Sequence, residues 1–209
     1  MDKKAWLYVF EGMADWEYGY LIAELNSGRF FAEQGSRMEV GAVAAGPDPV
    51  RTMGALRILP DALLDDLEPE SCALLILPGG DSWLDAVHAP VLEKARAFLE
   101  RGIPVAAICG ATIALAQAGF LDDREHTSND QGYLEAVCPS YRGHALYRNE
   151  PSVLGRGLIT ASGVAPVEFA HLVLKSLSLL SSDALEGWLG LYRSHEPRHY
   201  LKLMNAVAR

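Results

Sequence analysis

The feature that most constrains this chain is a pair of apolar, strand-length runs. Each ends abruptly at a glycine-bearing bend. Ala73 to Leu77 is wholly apolar and is closed by Pro78-Gly79-Gly80. Pro104 to Ile108 is closed by Cys109-Gly110, and Ala111 to Ala118 continues with a helical pattern. A strand without a polar face has to be covered on both sides, as central strands of parallel sheets are. Parallel neighbours in turn require long crossovers, usually helices.

The remaining pattern supplies them. Ala5 to Phe10 reads as a strand, Asp15 to Asn26 as a helix, and Met38 to Ala44 as a strand before the turn cluster Gly46-Pro47-Asp48-Pro49. Ala55 to Leu59 reads as a short strand and Asp61 to Leu67 as one or two helical turns. Pro90 to Arg101 carries the clearest helical stripe (Val91, Leu92, Ala95, Phe98, Leu99), with Pro at its start and Gly102 at its end. Ala145 to Tyr147 reads as a minor strand, Leu158 to Ala161 as a strand, and Val167 to Leu180 as a helix. Alternating strands and helices predict an α/β fold, a three-layer sandwich around a mostly parallel sheet. Residues 1–182 are read as this domain. Residues 183–209 are read as a helical extension of two helices packed on it, the second starting at Pro197. Trp188, Leu189, Leu191 and Tyr192 either pack on the domain or form a dimer surface or lid.

Composition excludes several classes. Half of the 209 residues are hydrophobic and 22% are charged, which suits a globular chain rather than a disordered one. The 18 basic residues against 27 acidic ones give a net charge of −9, so nucleic acid and anionic membrane are poor partners. Cys72, Cys109 and Cys138 form neither an even set nor a CxxC pair, so neither a disulfide framework nor a zinc cluster is expected. The first apolar run is broken by Glu11, too early for a signal peptide. The stretch Ile103 to Leu121 is broken by Pro104, Gly110 and Gly119, unlike a membrane span. A reducing, cytoplasmic setting is expected.

Cys109 carries the chemistry. It stands where a buried strand meets a helix, between the small residues Ala107 and Ala111. That is the requirement of a nucleophile elbow, where two backbones nearly touch and the side chain is pushed out above the sheet. Helix amides facing the sulfur favour thiolate. Cys72 and Cys138 read as buried fillers.

Leu75-Ile76-Leu77-Pro78-Gly79-Gly80, Ala107-Ile108-Cys109-Gly110-Ala111, and His126 after Gly119-Phe120-Leu121-Asp122 together resemble the PfpI/ThiJ superfamily. This is the superfamily of the Parkinson-disease protein and of bacterial intracellular proteases and amidases. The resemblance runs from about Lys4 to about Leu180. It implies a flavodoxin-like, class I glutamine amidotransferase-like fold with Cys109 as nucleophile and Glu17 beside the sulfur. It further implies His126 as a histidine near the cysteine, the amides of Gly80 and Gly110 as an oxyanion hole, and a homodimer. From the residues alone, Glu17 could equally be a solvated glutamate of a first helical turn, and His126 a surface histidine. A carboxyl held against a thiolate is expected to be protonated and to donate to the sulfur.

Two departures from the family pattern matter. Protease-like members carry His directly after the nucleophile, where this chain has Gly110. Glutamine-hydrolysing domains carry a His-Pro-Glu near the end of the fold, and this chain has none. Peptidase and glutaminase chemistry are thereby disfavoured. The expected function is a cysteine-nucleophile enzyme acting on a small molecule with a reactive carbonyl or an amide, either a hydrolase/amidase or a glyoxalase/deglycase-like enzyme. The alternatives are an oxidative-stress sensor in which Cys109 is oxidised without turnover, and a ligand-binding protein that keeps the elbow as a relic. No cofactor and no metal are expected. His195-Glu196-Pro197-Arg198-His199 spells the zincin H-E-x-x-H, but Pro197 suits a helix start and breaks the helix that would align both histidines.

Overall fold

In the computed structural model, which describes residues 3–207, the two apolar runs become adjacent strands. β1 (Lys4–Tyr8) leads into α1 (Gly19–Ser27) and β2 (Val40–Ala44). A hairpin of β3 (Val50–Arg51) and β4 (Arg57–Ile58) follows, then β5 (Ala62–Leu63) and β6 (Cys72–Leu77). Next come α2 (Ala89–Glu100), β7 (Val105–Ile108), α3 (Gly110–Gln117) and α4 (Gln131–Val137). The chain continues through β8 (Ser152–Gly155), β9 (Leu158–Ala161), α5 (Pro166–Ser176), α6 (Ser182–Ser194) and α7 (Pro197–Val207).

Seven strands form one sheet in the order β5-β2-β1-β6-β7-β9-β8. Every pairing is parallel except β8 with β9. Trp6, Leu75, Val105 and Leu158 lie in one row across four strands. The strands therefore end together on one rim. The chain leaves β1 toward β2 on one side and later leaves β6 toward β7 on the other. Right-handed crossovers then place α1 and α2 on opposite faces. α5 packs against α1, and α6 packs against α5. The central strands are sealed: Leu74 to Leu77 and Val105 to Ile108 are fully buried. The α/β fold with a mostly parallel sheet flanked by helices is as the sequence predicts.

Several local expectations differ. The helix after β1 begins at Gly19, not Asp15, because residues 15–17 spend their side chains on distant partners. Asp15 accepts from the Gly54 N–H at 2.6 Å, the Trp16 indole donates to the Gly163 carbonyl at 3.1 Å, and Glu17 accepts from the Gly79 N–H. Residues 61–67 split into β5 and a 3-10 turn at Leu64–Asp66. Ala145 to Tyr147 is no strand: His144–Leu146 is a 3-10 turn with one isolated bridge between Tyr147 and His126. The pattern missed α4, β3 and β8, which are short. β8 is an edge strand with Leu154 facing solvent. In α6, Trp188 is fully buried and its indole donates to Glu24 Oε1 of α1 at 2.9 Å. α7 starts at Pro197, while His195 is the left-handed cap of α6, so the two histidines of the zincin-like string do not share a helix. Residues 208 and 209 of the predicted extension lie outside the described residues.

Candidate active site

Sulfur, carboxyl and glycine loop converge at the rim where β1 and β6 diverge in connectivity, the place where open α/β sheets form their crevices. Cys109 has φ 59° and ψ −124°, a left-handed conformation that costs a non-glycine residue free energy. Its neighbours hold it there. The Cys109 N–H donates to the Ala161 carbonyl at 3.0 Å, and the Thr112 hydroxyl donates to the Cys109 carbonyl at 2.6 Å. Thr112 Oγ1 also meets Ser128 Oγ at 2.7 Å, tying the elbow to the loop before α4. A Cβ on Gly110 would collide with the Gly80 carbonyl and crowd Trp83, so the second elbow position has to be glycine.

Glu17 is fully buried beside the sulfur. Its Oε2 accepts the Gly79 N–H, while Oε1 is buried without a hydrogen-bond partner among the described residues. Burial pushes the carboxyl up to about 7, against the opposing pull of the Gly79 amide and of a hydrogen bond with Cys109. Burial also pushes the Cys109 thiol up, to about 11. The Asn129 hydrogen bond opposes this, the charge and hydrogen bond of Glu17 reinforce it, and the Gly110 amide opposes it. The expectation of an acidified thiol is thus reversed, chiefly by burial and further by the charge of Glu17. Counting helix amides alone left out burial and the neighbouring negative charge. The two groups form a dyad in which Glu17 and Cys109 compete for one proton.

Cys109, Glu17, Gly80 and Gly110 are brought together. His126 is not brought to the sulfur. It is fully buried, and none of its hydrogen bonds among the described residues reaches Cys109. Its Nδ1–H donates to the Arg124 carbonyl at 2.8 Å, because a carbonyl can only accept. Nε2 is left to accept the Tyr141 hydroxyl at 2.6 Å, and burial lowers the ring's pKa, so the imidazole is neutral with both nitrogens occupied. Its position makes it a strut of the loop that carries Asn129.

Three contributors were not among the predicted site residues. Asn129 Nδ2 donates to Cys109 Sγ at 3.3 Å, and its Oδ1 accepts the Gly163 N–H at 2.8 Å. A Cβ on Gly163 would lie 2.7 Å from Sγ, and one on Gly79 would lie 2.6 Å from both Glu17 oxygens. These glycines exist so that sulfur and carboxyl can sit against bare backbone. Long-range juxtaposition of this kind leaves no spacing to read. Gly79 was legible only as part of the bend and motif after β6, whereas Gly80 was named for the oxyanion hole by the family resemblance. Cys72 and Cys138 are buried, donating weakly to the carbonyls of Glu68 and Ile113. Among the described residues no group of three His, Cys, Asp or Glu side chains could hold a metal, and no helix is long and apolar enough to cross a membrane.

A strained cysteine above a parallel sheet, paired with a buried glutamate, defines an α/β protein of the nucleophile-elbow class. The DJ-1/PfpI family matches residues 3–176, and the chain belongs to that family. It is 46% identical over 207 residues to the "Uncharacterized protease YoaZ" of Bacillus subtilis, covering 99% of both chains. It is 50% identical to the thiJ/pfpI family protein of Bacillus anthracis, whose crystal structure superposes with a TM-score of 0.96 over 100% of this chain and 99% of that one. A more distant relative, the "Glutathione-independent glyoxalase DJR-1.2" of Caenorhabditis elegans, is 24% identical over 145 residues, 67% of this chain and 74% of its own.

Proposed function

We propose that this protein is a cysteine-nucleophile enzyme acting on small molecules with a reactive carbonyl or an amide. The observation that carries the reading is the fully buried Glu17 carboxyl against the sulfur of a strained elbow. Glu17 takes the thiol proton of Cys109, and the sulfur attacks the carbonyl carbon. A C–S bond forms as the C=O π pair moves onto oxygen. The amides of Gly80 and Gly110 hold that oxyanion; the Gly80 N–H makes no hydrogen bond among the described residues. Glu17 then returns the proton. A carboxyl poised near 7 gives and takes a proton with comparable ease at neutral pH.

Addition to an aldehyde or ketone needs only this one proton, delivered to oxygen, and gives a hemithioacetal. In a 2-oxoaldehyde Glu17 then moves the proton of that carbon to the neighbouring carbonyl carbon by way of an enediol, and water cleaves the resulting thioester to the 2-hydroxyacid and the free thiol. An amide also needs its leaving nitrogen protonated, and Gly110 offers no acid where protease-like relatives have His. Reactive carbonyls are therefore favoured over amides. Names among the relatives point to both chemistries, protease and glyoxalase. The proposal includes a cytoplasmic homodimer.

The test is steady-state turnover of methylglyoxal beside small amides and peptides, in wild type and Cys109→Ser. Turnover lost with the sulfur supports the reading, and turnover that survives overturns it. If wild type turns over neither class but mild peroxide adds two oxygens at Cys109 alone, the sensor reading takes its place.

A further inference from the structure

A cleft of about 420 Å³ opens beside the elbow. Two residues join it to the sulfur. Asn129 lines the cleft and touches Sγ, and Ser162 lines it one residue before Gly163, whose backbone lies against Sγ. Beyond the sulfur and outside the cleft lining, the fully buried Glu17 carboxyl lies against Cys109. Along the walls stand hydroxyl and amide side chains, the acids Asp130 and Glu150, and no Lys, Arg or His. One oxygen of Asp130 accepts the Tyr133 N–H as the cap of α4. The nearest guanidinium in sequence, Arg148, is committed to Glu125.

We infer that this cleft seats the part of the substrate away from the reacting carbon, and that it selects a carbonyl or acyl compound bearing an ammonium group over neutral or anionic analogues. The physical ground is a polar cleft with two carboxylates and no cation among its lining residues, which shares Asn129 with the sulfur of Cys109. A cation entering it gains Coulomb attraction and an anion loses it, most strongly at low salt. This inference deepens the nucleophile reading of Cys109 and rests on it.

The test uses thiol labelling, so it does not depend on knowing the substrate. Methanethiosulfonate reagents with a trimethylammonium, a neutral methyl or a sulfonate tail each form a mixed disulfide with Cys109 and release methanesulfinate. Rates are followed by peptide mass at Cys109, and each is divided by that reagent's rate with a small free thiol. Wild type is expected to prefer the cationic over the anionic reagent by at least roughly tenfold at low salt. Asp130→Asn/Glu150→Gln is expected to cut that preference at least roughly fivefold, with Asn keeping the α4 cap. A remote pair, Asp65→Asn/Glu68→Gln, lies before the far end of β6 and is expected to leave it unmoved. A preference near one overturns the inference, and so does a preference unaffected by the cleft variant; both leave the nucleophile intact. Failure of even the neutral reagent to label Cys109 overturns the nucleophile reading and this inference with it.

Discussion

Glu17 and Glu24 stand seven residues apart, at the entrance and in the body of α1, and both are buried. Their surroundings differ in kind. Glu24 accepts Arg29 Nε at 2.9 Å, the same guanidinium through Nη2, and the Trp188 indole at 2.9 Å, so both its oxygens are satisfied. Glu17 has one backbone amide, a sulfur, and one orphan oxygen. A buried charge that is paired and fully hydrogen-bonded fastens structure, while one left half-satisfied shifts its proton affinity and becomes available for chemistry. The seam between α1 and α6 is accordingly a structural joint, and the rim above β6 and β7 holds the candidate active site.

The contrast can be broken at its strongest point by Cys109→Ser. Turnover is expected to drop by about ten-thousand-fold, since the nucleophile is lost outright, while thermal stability stays close to wild type. Next in size, Trp188→Ala empties a fully buried site and removes one partner of Glu24. Chemical denaturation should show a loss of about 3–5 kcal/mol, with turnover per folded molecule preserved. If that variant loses activity instead, the seam is not merely structural.

The pH dependence sharpens the comparison. Folding raises the Glu17 carboxyl from 4.5 to about 7, so the folded protein binds the proton more tightly than the unfolded chain. The contribution of Glu17 is fully present below about 4.5 and is lost as pH rises through about 7. Stability relative to Glu17→Gln should fall by about 3 kcal/mol across that window, read from denaturant midpoints at several pH values. The same variant should bring the Cys109 thiol below about 11, because it removes the neighbouring charge, and the pH profile of alkylation measures that shift. Gly163→Ala, whose new methyl would press on Sγ and Cβ of Cys109, should lower turnover by about ten- to hundredfold and cost about 1–3 kcal/mol of stability. The smallest effect belongs to Tyr141→Phe. Loss of its hydrogen bond to His126 should cost about 1 kcal/mol of stability and leave the chemical step unchanged. A comparable loss of turnover would instead give His126 a catalytic part.

Most of the architecture was legible because burial on two faces writes itself into sequence as continuous apolar runs. β6, β7 and β9 were readable in this way, and α2 by its stripe. The short pieces β3, β5, β8 and α4 were not, since a few residues cannot establish a period. Within the site, Cys109 stood out because an elbow needs small neighbours within two residues of itself, a local demand. Asn129, Gly163 and the bonds of His126 could not be seen. They come together only when β7, β9 and the loop before α4 share one rim.

The chain's own order of residues thus determined the layered sheet, the elbow and the candidate nucleophile, each dictated by steric or solvation rules acting over a few neighbouring positions. Only the tertiary structure decided the proton affinities of sulfur and carboxyl, the occupation of His126 by Tyr141, and the burial of Trp188 against Glu24. Those depend on distance and on the exclusion of water, and both are fixed by packing between segments far apart along the chain.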